Sequence, residues 1–145
     1  MPREPSLLDT NVLVYALYAH SEFHSPARSL LEQAMSAEAS FCVTQQILAE
    51  FYAVVTQARR VTDPQTPHAA LGAIDSLLAM PGMSLLPNPP DVVVRWMGLL
   101  RQYPVRGHKT FDVLLVACML GLGIKKLYSF NARDFEQFSQ IQVLT

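Results

Sequence analysis

The sequence predicts an α/β fold, a short and mostly parallel central sheet flanked by helices, in one domain spanning residues 1–145. Three observations lead there. Short β-rich apolar runs alternate with longer runs of helical period, the pattern of successive βα units. The first run, Ser6-Leu7-Leu8, stops at a carboxylate, Asp9, and a helical pattern begins at once. Glycine, proline and asparagine mark most junctions, as at Pro81-Gly82, Pro87-Asn88-Pro89-Pro90 and Gly121-Leu122-Gly123.

Strands are expected over residues 6–8, 41–44, 83–86, 126–130 and 141–144. Helices are expected over 11–18, 25–36, 45–58, 67–80, 90–102 and 111–121. In the third helix Ile47, Phe51, Val54 and Ala58 recur at helical spacing and form the inward stripe. In the last, Leu115, Val116 and Met119 follow Asp112 at three, four and seven residues, so Asp112 shares their face. Half of the 145 residues are hydrophobic, enough for one sizeable core with little left for a second domain.

The formal net charge is -1, so any contact with a polyanion has to come from local basic patches. The start, Met1-Pro2-Arg3-Glu4-Pro5, lacks the apolar stretch of a signal peptide, and no run reaches membrane length; a cytoplasmic protein is expected. Cys42 and Cys118 sit in apolar segments without metal-type spacing and read as buried reduced thiols. His20, His24, His68 and His108 are scattered, and no zinc spacing, P-loop, dinucleotide fingerprint or nucleophile elbow is present.

Three acids interrupt apolar surroundings: Asp9 at a strand end, Glu50 on the margin of its helix stripe, and Asp112 in Phe111-Asp112-Val113-Leu114-Leu115. Ionised carboxylates in such places are costly unless paired or metal-bound. Parallel sheets bind ligands beyond the carboxyl ends of their strands, where Asp9 falls. A convergent acidic pocket for a hard, oxygen-seeking cation is the leading expectation. Each acid also has a plainer reading: a helix cap for Asp9, a solvated margin for Glu50, and a helix-dipole partner for Asp112.

The ordered motifs Leu7-Leu8-Asp9-Thr10-Asn11-Val12-Leu13, Ile47-Leu48-Ala49-Glu50-Phe51, Phe111-Asp112-Val113-Leu114-Leu115-Val116-Ala117 and Tyr128-Ser129-Phe130-Asn131-Ala132-Arg133-Asp134-Phe135 resemble those of PIN-domain ribonucleases. The resemblance spans nearly the whole chain and is greatest to the small VapC-type toxins of toxin-antitoxin modules. It implies a three-layer sandwich, a magnesium- or manganese-dependent endoribonuclease that acts on RNA, a VapB-like antitoxin and a homodimer. Carried over by position, it makes Asp9, Glu50 and Asp112 the catalytic and metal-binding acids, with Thr10, Asn11 and Ser129 as their supports. Asn131 departs from the family, many members of which have an acid there. It and Asp134 compete for the last metal position, with Asn131 expected nearer the ion. Asp134 is expected mainly to cap a short helix, through the capping-box pattern Asp134-Phe135-Glu136-Gln137.

Hydrolysis by a metal-bound water is the expected mechanism. Arg106, His108 and Lys109 in the loop before Asp112, with Arg133, are the candidate contacts to the RNA backbone. Two other classes remain. A phosphotransfer enzyme using Asp9 as nucleophile would want an acid at position 11, where Asn11 stands. A non-catalytic module with a degenerate acidic site would suit the lost charge at Asn131. Tyr18 and Tyr52 look exposed and could line a groove for a partner helix.

Overall fold

The structure, a computed structural model, describes residues 3–145; Met1 and Pro2, which begin the segment read as lacking a signal peptide, lie outside it. Five strands alternate with helices: β1 (Ser6–Leu8), α1 (Thr10–Leu17), α2 (His24–Gln33), β2 (Phe41–Thr44), α3 (Gln45–Val55) and α4 (Pro67–Leu78) come first. After them follow β3 (Met83–Leu86), α5 (Val92–Gln102), α6 (Lys109–Leu122), β4 (Lys126–Tyr128), a 3-10 turn (Ala132–Phe135) and β5 (Gln142–Leu144). The sheet order is β3-β2-β1-β4-β5, and every neighbouring pair is parallel.

β1 and β2 are buried at every position, so helices cover both faces of the sheet centre, which gives three layers. α1 packs on α2 and α3, α3 on α4, and α5 on α6. The edge strands β3 and β5 carry exposed positions, as strands with only one neighbour should. From β1 the chain winds outward through β2 to β3, then returns to the far side of β1 to lay down β4 and β5. Winding therefore reverses between β1 and β4, and the crevice at their carboxyl ends is where such sheets hold ligands.

Local chemistry sets the boundaries. The Thr44 hydroxyl accepts from the Ile47 N–H to start α3, and Thr66 does the same for Ala69 at α4, whose first residue is Pro67. α6 stops at Gly123, whose φ of 72° is the left-handed cap conformation that glycine adopts without strain.

Several expectations need correction. α3 ends at Val55 rather than 58, and its buried stripe is Ile47, Phe51 and Val55, with Val54 turned toward a cleft. α6 begins at Lys109, two residues before the expected start, so Lys109 is helical and not in the preceding loop. β4 ends at Tyr128, before Ser129 and Phe130. Tyr18 is buried at 7% exposure, its hydroxyl donating to the Asp63 carbonyl at 2.9 Å, and so cannot line a surface groove. Asp134 does not cap a helix: it lies inside the short 3-10 turn Ala132–Phe135, whose cap position is Asn131, and no α-helix follows it. Phe135 and Phe138 are both buried to 2% exposure and anchor this segment in the core.

Candidate active site

The reversal crevice is occupied by Asp9 and Ser129, one residue beyond β1 and β4 respectively. The Asp9 N–H continues the ladder by donating to the Tyr128 carbonyl at 2.9 Å, so the backbone under the carboxylate belongs to the sheet. The carboxylate is oriented from three sides. Oδ1 accepts from the Thr10 N–H at 2.8 Å; Oδ2 accepts from the Ser129 hydroxyl at 2.8 Å and the Asn11 amide at 3.3 Å. Asn11 is itself fixed, since its Oδ1 accepts from the Phe130 N–H at 3.2 Å. Behind it Tyr15, Phe23 and Phe130 pack ring on ring, with Phe23 and Phe130 stacked at 4.8 Å.

Glu50 reaches the same place from α3. Its Oε2 accepts from the Thr10 hydroxyl at 3.1 Å and its Oε1 from the Gln46 amide at 2.9 Å. That amide also donates to the Phe111 carbonyl at 3.0 Å, tying α3 to the first turn of α6. Trp96 holds the turn from the other side, its indole N–H donating to the Thr110 hydroxyl at 3.2 Å. Asp112 stands one residue beyond this anchored pair.

The acids held in this way open on one cavity of about 790 Å³. Asp9, Glu50, Asp112, Asn131 and Asp134 line it, from four separate stretches of chain. Crowding of like charge out of water has the expected effect on protonation. The Asp112 carboxyl is pushed up from 3.8 to about 7, by burial first and then by Asp134, Asp9 and Glu50, with Lys109 opposing. Asp9 is also raised, chiefly by burial and further by Glu50 and Asp134, against the hydrogen bonds from Ser129 and Thr10.

Among the described residues no three His, Cys, Asp or Glu side chains are gathered closely enough to grip an ion as they stand. The donor set still fits one. Carboxylate and amide oxygens facing a shared, partly dehydrated cavity are the ligands that hard divalent cations take, and a cation's charge would offset the repulsion that now raises Asp112.

Asp134 departs furthest from its expected part. It lies within the 3-10 turn, the side chain of Asn131 makes no cap there, and after burial the charge of Asp134 does most to raise Asp112. His108 and Lys109 line the cavity, whereas Arg106 and Arg133 are exposed outside it. Lining or supporting residues that the sequence did not single out include Arg60, Tyr15, Gln46 and Trp96. The adjacent Arg59-Arg60 pair and the i,i+4 spacing of Gln46 and Glu50 were the available signals. Tyr52 lines a different feature, an apolar groove with Leu48, Leu71, Ile74 and Leu85.

A half-buried acid at a sheet reversal, with further acids converging on it from α3, α6 and the segment after β4, defines a class that comparison makes specific. The sequence profile of the PIN domain matches residues 6–141, and the chain belongs to the PIN-domain family. It is similar to Ribonuclease VapC43 of Mycobacterium tuberculosis, 41% identical over 117 residues that cover 78% of this chain and 77% of that protein. It is also similar to Ribonuclease VapC48 of the same organism, 25% identical over 135 residues, or 93% and 92% of the two chains. Among solved structures, Mycobacterium tuberculosis VapC20, described as a sarcin-ricin loop cleaving toxin, superposes with a TM-score of 0.68 at 18% identity, covering 92% of this chain and 95% of that one. DNA-bound VapBC from Salmonella typhimurium gives 0.68 at 16% identity, covering 98% of each chain. These structural likenesses carry the fold alone. PIN-domain ribonucleases are generally metal-dependent. No helix among the described residues is long and apolar enough to cross a membrane.

Proposed function

We propose that this protein is an endoribonuclease, the toxin of a type II toxin-antitoxin pair, which hydrolyses RNA phosphodiester bonds with magnesium or manganese in the acidic cleft. The observation that carries the reading is the convergence of Asp9, Glu50, Asp112 and Asp134 on one cavity, with Asp112 raised to about 7 by burial first and by its acidic neighbours after it. That is the electrostatic state of a site built to be completed by positive charge.

Asp9 and Asp112 are the central ligands in this reading, with Glu50, Asp134 and the Asn131 carbonyl oxygen around them. A divalent cation there would acidify water and offset the charge that builds on the phosphate. The protein's own groups do the rest. Ser129, Asn11 and the Thr10 backbone hold the Asp9 carboxylate in one orientation. Thr10 and Gln46 hold Glu50, leaving lone pairs to take a proton from the attacking water. Lys109, His108 and Arg60 bring positive or proton-donating groups to a cleft that Asp9, Glu50, Asp112 and Asp134 make acidic, and engage the flanking phosphates. Arg106 and Arg133, outside the cavity, are left to contacts further along the RNA.

The VapC names of the similar ribonucleases support a VapB-like antitoxin as partner, and the reading is completed by a homodimer acting in the cytoplasm. Highly purified protein should cleave RNA with magnesium or manganese and not with chelator. Asp9→Asn and Asp112→Asn should each lower the rate by about 100-fold or more while the circular dichroism spectrum is retained. Cleavage by either variant at the wild-type rate would contradict the assignment.

A further inference from the structure

The first turn of α6 presents to the cleft an aromatic surface that the acid chemistry does not use. Phe111 is 49% exposed, although Asp112 beside it is half-buried and Val113 beyond it is fully buried. It lines the cavity next to His108 and Lys109. The His108 and Phe111 rings lie with centroids 6.3 Å apart and planes inclined at 34°, two neighbouring flat surfaces at the rim of the cleft. The backbone beneath them is held: Gln46 bonds the Phe111 carbonyl and Glu50 with one amide, and Trp96 bonds Thr110. Phe111 is thereby indexed to Glu50 and Asp112, at a fixed distance from the acids.

We propose that Phe111, flanked by His108, is a stacking platform for one unpaired nucleobase beside the scissile phosphate, with Lys109 on the adjoining phosphate. The inference rests on the reading of this cleft as the site of RNA cleavage. Single-stranded RNA offers splayed bases that stack on aromatic side chains, and a base still sandwiched in a duplex cannot reach such a ring. Every base has a π-face, so this platform selects unpaired RNA rather than a particular letter. An isolated exposed phenylalanine is unremarkable on a protein surface. One that borders the acidic cavity, beside a lysine and a second ring, has the composition of a single-strand groove.

The test is binding of short fluorescein-labelled single-stranded RNA, followed by anisotropy in an Asp112→Asn background so that turnover does not intrude. Adding Phe111→Ala should weaken binding about 5- to 100-fold, and Phe111→Trp should preserve it. Replacing the nucleotides one at a time by abasic residues should reveal one position whose loss reproduces the defect and adds nothing to Phe111→Ala. In the cleaving protein the same change should raise KM more than it lowers kcat. Unchanged affinity with Phe111→Ala overturns the platform, as does a defect equally large for every abasic RNA. So does unchanged RNA affinity with lost capture of a co-expressed antitoxin, which would make the ring part of a protein interface. If the wild-type protein leaves RNA intact, the cleavage reading fails, and the anisotropy series still decides the stacking.

Discussion

Asp112 keeps its charge only against burial and three neighbouring acids, and this has a sign that can be measured. In the unfolded chain the group releases its proton near the ordinary 3.8; in the metal-free fold it does so at about 7. Between those values the folded state binds more proton than the unfolded one, so this contribution to stability is lost as pH rises from about 4 to about 7 and is level above. Asp9, also raised, acts in the same direction. The metal-free melting temperature should therefore fall across that window. Asp112→Asn should flatten the fall and raise the melting temperature at pH 8, by about 2–4 °C for each kcal/mol of repulsion relieved. A variant that melts lower than wild type at pH 8 would contradict it. Asp134→Asn should let Asp112 ionise at lower pH and weaken manganese binding in calorimetric titration, with no loss of stability, because Asp134 caps nothing. The three core acids were legible because each interrupts an apolar segment. Gln46 and Arg60 were not, since their parts depend on how α3 faces α6 and on where the loop after α3 runs, neither of which leaves a mark in local sequence.

Elements were recognised by their period, and their ends are where local pattern and tertiary packing diverged. The five strands and six helices lie where apolar spacing and turn residues suggested, with ends displaced by up to three residues. The segment 131–138 differs more. Its capping-box letters favour a helix opening at Asp134, but the short helix that forms is a 3-10 turn over Ala132–Phe135 with Asp134 inside it, and the burial of Phe135 and Phe138 fits that earlier start. Gly82 shows the opposite case, a turn glycine visible in sequence whose necessity comes from contact. Its N–H donates to the Ala34 carbonyl at 2.7 Å, its carbonyl accepts from Phe41 at 2.9 Å, and a Cβ there would lie 2.5 Å from the Ser36 carbonyl oxygen. Gly82→Ala should cost about 1–3 kcal/mol by forcing the end of α2 away from the β2–β3 pair. A urea denaturation midpoint equal to wild type would show that the crossing yields freely.

At the scale of the molecule, one topological event builds the site. Because winding reverses between β1 and β4, the chain leaves a crevice beyond their carboxyl ends, and Asp9 and Ser129 meet there across 120 residues of sequence at 2.8 Å. α3 and α6 then bring Glu50 and Asp112 to the same opening. The order of motifs was readable along the chain; their convergence depends on strand order, which the period of apolar residues does not encode. The central claim is that this convergence is a divalent-cation site. Crystals of the wild-type protein grown with manganese, with diffraction collected near the manganese absorption edge, test it most directly. An anomalous peak within ligand distance of both Asp9 and Asp112 is predicted, about 2.0–2.6 Å from their oxygens, and it should disappear in Asp112→Asn crystals. A cleft without a peak, in crystals whose dissolved protein still cleaves RNA with manganese, would contradict the account.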